Sequence, residues 1–287
     1  MKTSMQVHDA TVLEHEDFGG GYRRIVVEAP EVAQSASPGQ FLHIRIMELS
    51  EEALRRPFSI YQVTDTTVSV MYKPIGRGSA ALISVGPGSQ ISIIGPLGRG
   101  FPQCEHRAFP VLVAGGYGVA PLSFFAARSP VKGAVFIGAK AAADVLCVSD
   151  FEAVNWPVQV ATEDGSQGHH GIITESLDRW LDEHDAGTDG ARIAEDGGAF
   201  NLEFYCCGPD GLLRAIESRA AKRECKAWLS FDRPMGCGIG ACLACVQKVR
   251  KPDGEVTWAR CCREGPVFDA KTIVWDEQVE DLQNRLV

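Results

Sequence analysis

Five cysteines near the end of the chain have a spacing typical of iron-sulfur proteins. Cys237, Cys242 and Cys245 form the pattern C-x4-C-x2-C, and Cys261 and Cys262 follow as an adjacent pair. This is the spacing of plant-type 2Fe-2S sites, which combine three closely spaced cysteines with one distant cysteine. The residues therefore predict a 2Fe-2S cluster held by the first three cysteines and one member of the pair. The spacing does not decide whether Cys261 or Cys262 is the fourth ligand.

The composition of the cysteine loop favours this prediction over two alternatives. A loop that wraps a small inorganic core needs positions where the backbone approaches closely, and glycine permits this. A structural zinc site more often contains paired C-x2-4-C units, and the loop has a single C-x2-C. Buried free cysteines are common in protein cores, but three in one glycine-rich loop would be an unusual coincidence. The small residues of the loop are Gly236, Gly238, Gly240, Ala241 and Ala244.

Length and composition indicate a globular protein of two or three domains. The 287 residues are 45% hydrophobic, and 28 basic against 37 acidic residues give a net charge of −9. The sequence has no Lys/Arg-rich run, which argues against nucleic acid or an anionic membrane as the main partner. It has no apolar run of about eighteen residues and no secretory leader, so we expect a cytoplasmic protein. Ten cysteines in such a chain indicate metal binding rather than disulfides.

The first hundred residues have the pattern of an antiparallel β domain. Short alternating runs, broken by Gly and Pro, predict six strands, and this spacing is typical of a barrel or a sandwich. The predicted strands are Gln6–Leu13, Tyr22–Glu28, Gln40–Ile46, Phe58–Val63, Thr67–Lys73 and Gln90–Ile94.

One segment of this domain contains residues suited to a phosphorylated ligand that also carries a ring. Residues 55–61 (RRPFSIY) place Arg56, Pro57, Phe58 and Ser59 at the entrance of one strand. A guanidinium binds phosphate oxygens through several donors at once, and the aromatic side chain offers a surface for a ring. An edge strand that begins with Arg-Pro explains the same residues equally well.

A second segment has the composition of an anion site. Residues 72–82 (YKPIGRGSAAL) pass from a strand through two glycines into a short helix. The backbone N–H groups of Gly78 and Ser79 at the start of a helix are placed to bind an anion. The alternative is an ordinary turn followed by a serine cap.

A boundary near residue 104 separates this β domain from a region of buried apolar runs that alternate with helical stretches. This alternation is typical of a parallel sheet with crossover helices. We expect domains at residues 1–103, 104–226 and 227–287. The predicted strands of the middle domain are Pro110–Ala114, Gly133–Gly138, Val158–Thr162 and Leu202–Cys207. The predicted helices are Leu122–Arg128, Ala143–Val154, Thr174–His184 and Asp210–Lys222.

A glycine-rich turn follows the first strand of the middle domain. Residues 114–122 (AGGYGVAPL) contain Gly115, Gly116 and Gly118, which let the backbone approach a phosphate, and Pro121, which opens the next helix. The turn is not a complete G-x-G-x-x-G motif because proline occupies the last position. By itself this turn is weak support for a dinucleotide site.

The residues that would distinguish NAD from NADP leave the choice open. The acidic residue expected about twenty positions after the glycine turn is absent, and Lys140 closes the second strand instead. A lysine at this place is able to accept a 2′-phosphate, and it is equally compatible with a solvated loop.

Two further segments of the middle domain carry polar residues. His169 and His170 lie in a glycine-rich loop, and we expect solvated histidines rather than a metal site because no nearby Cys or carboxylate pair has ligand spacing. Residues 182–200 are polar and acidic, which predicts an exposed loop insertion.

The order of these motifs resembles the ferredoxin-NADP reductase superfamily. The superfamily variant of the glycine turn reads G-G-x-G-x-A-P, which residues 115–121 match, and residues 207–209 match its C-G-P motif. The resemblance implies an FAD-binding antiparallel barrel, a nucleotide-binding α/β domain with a parallel sheet, and Cys207 beside the nicotinamide. The cofactor-binding residues that it implies are Arg56, Pro57, Phe58, Ser59, Lys73, Pro74, Ile75, Gly78, Ser79, Gly115, Gly116, Gly118, Pro121, Cys207, Gly208 and Pro209.

With the cysteine loop included, nearly the whole chain resembles the electron-transfer subunits of NAD-dependent dihydroorotate dehydrogenases. In that family the fourth ligand directly precedes a polar pair and Gly-Pro-Val-Phe, as in residues 262–268 (CREGPVF). The resemblance therefore selects Cys262 rather than Cys261, and the implied metal ligands are Cys237, Cys242, Cys245 and Cys262. Residues 231–234 (FDRP), which lead into the loop, depart from the family pattern.

The resemblance implies a role in electron transfer during pyrimidine biosynthesis. Electrons from the FMN of a dihydroorotate dehydrogenase catalytic subunit would pass through the 2Fe-2S cluster and FAD to NAD+, with the two kinds of subunit in a heterotetramer. No residue in the chain has the character of a general base for dihydroorotate, so the oxidation of that substrate belongs to the partner. Two alternatives remain: an NAD(P)H-dependent reductase of another partner such as ferredoxin, and a zinc-stabilised binding module without catalysis.

Overall fold

The computed structural model describes residues 6–46, 54–184, 191–193 and 199–275. Within these residues, six strands close an antiparallel barrel in the order β1-β2-β5-β4-β3-β6, as the alternating pattern predicts. The barrel strands are β1 (Val7–Gly19), β2 (Tyr22–Glu28), β3 (Phe41–Ile46), β4 (Arg56–Val63), β5 (Thr67–Tyr72) and β6 (Gln90–Leu97). Two short helices join them, α1 (Pro30–Ser35) and α2 (Arg77–Ala81).

The first strand is longer than the sequence predicts. The prediction ended it at Leu13, where the polar run of residues 14–17 begins, but β1 continues to Gly19 and stays paired with β2. The guanidinium of Arg24 on β2 lies 2.9 Å from the carboxylates of both Glu14 and Glu16. Cross-strand charge pairs of this kind support a strand whose side chains face solvent.

A largely parallel sheet forms the middle of the molecule. Its strands are β7 (Ala108–Gly115), β8 (Ala134–Ala139), β9 (Val158–Thr162), β10 (His169–His170), β11 (Ala191–Ile193), β12 (Ala199–Cys207), β13 (Lys226–Ser230) and β16 (Val267–Asp269). The order is β10-β9-β8-β7-β12-β13-β16, with β11 paired to β12. Residues 111–114 of β7 are fully buried, which is typical of a strand covered on both faces.

Helices α3 (Val119–Arg128), α4 (Val148–Ala153), α5 (Ile173–His184) and α6 (Asp210–Lys222) accompany this sheet. Helix α3 packs against both β7 and the barrel strand β4, so the two domains share one boundary. The rings of Phe101, Phe125 and Tyr205 meet at this boundary, with 4.3 Å between the ring centroids of the last two. In the described part of the chain, no helix has the length and apolar character needed to cross a membrane.

The predicted helix Ala143–Val154 is confirmed only in its second half. A single 3-10 turn covers Ala142–Asp144, and the helix α4 begins only at Val148. Between them the side chains of Leu146 and Cys147 are buried, and Cys147 adopts the left-handed conformation with φ of 61°. Leu146 and Cys147 pack in the core between the sheet and the barrel, and the left-handed conformation of Cys147 interrupts the helical backbone there.

The predicted insertion at 182–200 is described only in part. Residues 182–184 end helix α5, and β11 pairs antiparallel with the start of β12. The remainder of the insertion lies outside the described residues, so its exposed loop stays a prediction.

The last segment of the chain combines a hairpin with a return to the sheet. Strands β14 (Val246–Arg250) and β15 (Val256–Arg260) form the predicted hairpin. Strand β16, which the sequence did not predict, pairs antiparallel with β13, and β13 pairs parallel with β12. The fold class of barrel, parallel-sheet domain and small C-terminal domain is confirmed. The limits of the domains stay a prediction, although the middle sheet also includes β13 and β16 from the region assigned to the last domain.

Polar contacts join the barrel to the sheet domain. The Tyr61 hydroxyl, from β4, donates a short hydrogen bond to the Asp150 carboxylate on α4. The Lys73 ammonium lies 2.9 Å from the Asp144 carboxylate, to which the Tyr22 hydroxyl also donates at 3.1 Å. These hydrogen bonds raise the pKa of Lys73 and lower the pKa of Asp144. Both links fix α4 and the turn before it against the barrel.

We expect the Tyr61→Phe substitution to lower the free energy of unfolding by about 1 to 2 kcal/mol, because it leaves the half-buried Asp150 carboxylate without its phenol donor. Urea denaturation measures the change. Arg24→Gln is the control, because exposed ion pairs contribute about 0.5 kcal/mol or less. Equal stability of Tyr61→Phe and the unmodified protein would show that this contact does not join the domains.

Candidate functional site

The carboxyl ends of β7 and β12 form a crevice at the point where the strand order reverses. From β7 the chain proceeds to β8 on one side, and β12 lies on the other side. Ligands of open α/β sheets bind at such a switch point. The glycine turn follows β7, and the C-G-P segment follows β12, so the structure brings these two predicted motifs together.

Glycine is required where the two turns meet. A Cβ atom at Gly118 would lie 2.6 Å from the carbonyl carbon of Cys207, and one at Gly115 would lie 2.8 Å from Cδ of Pro209. Neither distance leaves room for a side chain. Gly116 between them has a positive φ of 54°, and a Cβ added there would meet no atom within 4 Å, so it faces open space. Helix α3 begins at Val119, with Pro121 in its first turn.

Cys207 stands at the end of β12 inside this crevice. Burial raises the pKa of its thiol to about 12, although the Ser230 hydroxyl near the sulfur partly opposes this shift. The side chain is therefore a neutral thiol at physiological pH. Its neighbour Cys206 is fully buried in the core of the sheet.

Lys140 lies next to carboxylates at the ends of β8 and β9. The backbone N–H of Asp164 donates to the Lys140 carbonyl at 3.2 Å. The hydroxyl and backbone N–H of Ser166 donate to the Asp164 carboxylate, and these hydrogen bonds lower its pKa. Glu163 adds a second carboxyl group beside it. Glu163 and Asp164 therefore follow β9 beside the end of β8, where their backbones contact those of Ala139 and Lys140.

The predicted loop histidines lie farther along this edge of the sheet. His169 Nε2 lies 2.8 Å from the Glu175 carboxylate, and Nδ1 lies 3.1 Å from the Arg179 guanidinium, while His170 is exposed. Both histidines form the short strand β10 beside β9. These contacts are those of ordinary surface side chains.

On the barrel, the two predicted phosphate-binding segments come together. The Arg56 guanidinium lies so close to Gly78 that a Cβ there would be 2.7 Å from its Cζ. The Ser79 hydroxyl oxygen accepts hydrogen bonds of 3.1 Å from the backbone N–H groups of Ile75 and Gly76, which fixes the turn before α2. A guanidinium and a helix start at one place form a cradle suited to phosphate oxygens.

The remaining predicted barrel residues surround this cradle or lie away from it. The Phe58 ring packs edge-on against Tyr72 with 5.7 Å between the centroids, and Ser59 pairs with Phe41 across β3 and β4. Ile75 is 77% exposed. The Lys73 ammonium is bound to Asp144 at the domain boundary, so its predicted cofactor contact stays a prediction, as do those of Pro57 and Pro74.

The cysteine loop holds its thiols in two pairs. The Cys237 and Cys242 side chains are within hydrogen-bonding reach of each other, and so are those of Cys245 and Cys262. In a 2Fe-2S cluster each iron takes two protein sulfurs, so two pairs fit the group. Across the described ranges of the chain, no three His, Cys, Asp or Glu side chains converge in the manner of a single-ion site.

Backbone donors surround the first cysteine of the loop. The N–H groups of Ala241 and Cys242 donate to the Cys237 sulfur at 3.3 and 3.4 Å. Burial opposes ionisation of this thiol, but these donors and the N–H of Ile239 outweigh it and lower the pKa to about 6. Donors aimed at sulfur are the second part of the fit, because they stabilise thiolate ligands and tune the cluster.

The contacts of Cys261 and Cys262 differ, although both side chains are buried, at 0% and 3% exposure. The Cys261 backbone N–H donates to the Cys245 carbonyl at 2.7 Å. This bond places the next residue, Cys262, with its thiol against Cys245. The Arg260 guanidinium donates to the Gly240 carbonyl at 3.0 Å and binds the Glu264 carboxylate, so it ties this segment to the loop.

His43 is a residue of the site that the sequence did not predict. Its side chain on β3 is fully buried, and neither ring nitrogen has a hydrogen bond of good geometry. Burial and then the nearby Arg55 guanidinium lower its pKa to about 4, so the ring is neutral. The ring packs against Gly238, whose φ is +69° and whose Cβ would lie 2.9 Å from the ring Cγ. Only its position between the apolar residues Leu42 and Ile44 marked it in the sequence.

We expect Cys262→Ser to lose the cluster and Cys261→Ser to retain it, because only the Cys262 thiol pairs with Cys245. Iron and sulfide content of the purified variants, together with the visible spectrum, measures the difference. Cys261→Ser is the matched control, since it removes an adjacent thiol of the same kind. Equal iron content in the two variants would contradict the assignment of the fourth ligand.

We expect Gly238→Ala to prevent the loop from closing against β3. The left-handed backbone at this position costs a side chain about 1 to 2 kcal/mol, and the added Cβ would also collide with the His43 ring. Iron content should fall while flavin content is retained. Gly211→Ala is the control, because a Cβ at Gly211 meets nothing within 4 Å. Normal iron content in Gly238→Ala would show that the loop closes without this contact.

Comparison with known proteins agrees with this geometry. The family of the iron-sulfur cluster binding domain of dihydroorotate dehydrogenase B matches residues 232–274. A relative from Desulforamulus reducens, named dihydroorotate dehydrogenase B (NAD(+)), electron transfer subunit, is 32% identical and covers 94% of this chain and 99% of its own. A protein of the same name from Bacillus cereus is 33% identical with the same coverage.

Solved structures show the same fold. A chain of an NADH-dependent reduced ferredoxin-NADP oxidoreductase superposes with a TM-score of 0.78 at 23% identity, over 96% of this chain and 93% of that chain. A ferredoxin NADP+ reductase from Neisseria gonorrhoeae superposes with a TM-score of 0.58 at 15% identity, over 76% of this chain and 91% of that chain. The extent and identity of the sequence matches show that this chain belongs to the family of dihydroorotate dehydrogenase B electron transfer subunits.

Proposed function

We propose that this chain passes electrons from the FMN of a dihydroorotate dehydrogenase catalytic subunit, through a 2Fe-2S cluster and FAD, to NAD+ in pyrimidine biosynthesis. The family membership supports the electron-transfer role, and the names of the relatives support dihydroorotate dehydrogenase and NAD+. The two kinds of subunit form a cytoplasmic heterotetramer in this proposal. The oxidation of dihydroorotate belongs to the catalytic subunit.

One observation carries the proposal: the cysteine loop and the phosphate cradle contact adjacent strands of the barrel, β3 and β4. Gly238 of the loop packs on His43, and His43 pairs across β3 and β4 with Pro57. The next residue towards the start of β4 is Arg56, which lies against Gly78. A cluster in the loop and a flavin on the barrel would therefore be near neighbours, as electron transfer requires.

The residues of the chain have separate tasks in this path. When bound, FAD supplies the exchange between single electrons and a hydride, and the cluster carries single electrons. The two thiol pairs hold the irons, and Arg56 and the start of α2 neutralise phosphate charge. The glycine turn and Cys207 bind the dinucleotide at the end of the sheet, with a neutral thiol facing the ring.

We propose NAD rather than NADP as the dinucleotide. The Asp164 carboxylate is held ionised by Ser166, and Glu163 stands beside it. A 2′-phosphate brought to Lys140 would approach both carboxylates, and like charges at close range oppose binding. NAD carries no such phosphate and avoids this repulsion.

The experiment is reconstitution with a dihydroorotate-oxidising flavoprotein. We expect the purified complex to contain iron, sulfide and two kinds of flavin, and to reduce NAD+ in the presence of dihydroorotate, with NADP+ a much poorer acceptor. NADH absorbance measures the rate. A complex made with Cys262→Ser is the control, and it should oxidise dihydroorotate with an artificial dye but fail to reduce NAD+.

Different failures distinguish the alternatives. A coloured protein that reduces ferredoxin with NAD(P)H, and that never supports dihydroorotate-dependent NAD+ reduction, is a reductase of another partner. A colourless protein with stoichiometric zinc and no flavin is a binding module. Either result overturns the proposed function.

A further inference from the structure

The segment that joins the sheet to the cysteine loop contacts both turns of the dinucleotide crevice. Residues 231–234 (FDRP) follow β13 directly and lead into the loop at Cys237. This segment departs from the family pattern, and the proposed electron path assigns it no task. Two consecutive side chains in it, Asp232 and Arg233, make the contacts.

Asp232 binds the first turn. The Tyr117 hydroxyl donates to the Asp232 carboxylate at 3.0 Å. Tyr117 is the side chain between the glycines of the turn, and 48% of its surface is exposed, so the core does not fix its ring. Its hydroxyl also lies near the Cys207 thiol. The hydrogen bond to Asp232 is therefore the contact that holds the ring beside the nicotinamide end of the crevice.

Arg233 binds the second turn. Its guanidinium donates two parallel hydrogen bonds, of 2.9 and 3.0 Å, to the carboxylate of Asp210, which directly follows the C-G-P segment. The same guanidinium donates to the Gln247 side chain on β14 at 2.9 Å. The Arg233 side chain is 13% exposed and that of Asp210 is 26% exposed. Two parallel bonds from a largely buried guanidinium fix direction as well as distance.

We propose that Asp232 and Arg233 are positioning residues that hold the two turns of the crevice in the geometry that binds NAD. This inference rests on the proposed function, because it assumes that the crevice is the NAD site. The two turns have few side chains, so the close contact of their backbones fixes the distance between them. That contact does not fix the direction of the Tyr117 ring. Asp232 supplies that direction, and Arg233 fixes the second turn and the start of α6.

The test is rapid reduction of the flavin by NADH in the cofactor-loaded protein, which yields a Kd and a limiting rate. We expect Tyr117→Phe and Asp232→Ala each to raise the Kd for NADH about three- to tenfold, as loss of one charge-assisted hydrogen bond does. If both act through one bond, the double variant should match either single variant. Asp232→Asn keeps an acceptor oxygen and should restore the Kd to within about twofold.

Arg233→Lys tests the second turn, because it keeps the charge but loses the two parallel bonds, and its Kd should also rise. Arg219→Gln is the matched control. It removes an equivalent two-bond pair with Asp178, between α6 and α5, and should leave the Kd unchanged. Iron and flavin content and the thermal midpoint should stay normal in the Tyr117 and Asp232 variants.

The outcomes separate this inference from the proposed function. If NADH does not reduce the flavin of the unmodified protein, the proposed function fails. If it does, but Tyr117→Phe and Asp232→Ala leave the Kd within about twofold, the positioning role is wrong. The positioning role is also wrong if the double variant shows the product of the two single effects, because the residues then act independently.

Discussion

The absence of side chains where two turns meet is the constraint on which the crevice depends. Gly115 and Gly118 approach the backbone of residues 207–209 so closely that even a methyl group would force the turns apart. Because β7 and β12 are adjacent parallel strands, their carboxyl ends already lie together. The glycines allow the two turns after these strands to touch. The helices α3 and α6, which follow the turns, therefore begin beside one another. Backbone dipoles from both turns thus face one small space.

Three folded units meet around this space, and named contacts fix their relative positions. Lys73 of the barrel binds Asp144 of the sheet domain, and His43 of the barrel packs against Gly238 of the cysteine loop. Electron transfer needs fixed distances between the redox centres more than it needs a very stable boundary between the folded units. Contacts that depend on exact geometry, such as a hydrogen bond or a ring on a glycine, meet that need better than smooth apolar surfaces, which can slide.

The sequence predicted features that depend on local pattern and missed features that depend on distant contacts. The alternation of apolar and polar residues predicted the barrel strands. The glycine turn and the cysteine loop lie at the places in the fold that their sequence motifs predicted. The helix predicted at 143–154 forms only from Val148 onwards, because Leu146 and Cys147 are buried in the core before it. His43 was missed because its partner, Gly238, is remote in sequence. Neither residue type carries a local signal for such a contact, so only the fold reveals it.

The adjacent cysteines show how one backbone hydrogen bond resolves a choice that spacing leaves open. The Cys261 N–H donates to the Cys245 carbonyl, which fixes the register of the two segments. With that register fixed, the side chain of Cys261 enters the core, and the thiol that meets Cys245 is that of the following residue. A slip of one residue would exchange the two thiols, but it would also break the Arg260 bond to Gly240. Both contacts therefore favour our proposal that Cys262 is the fourth ligand.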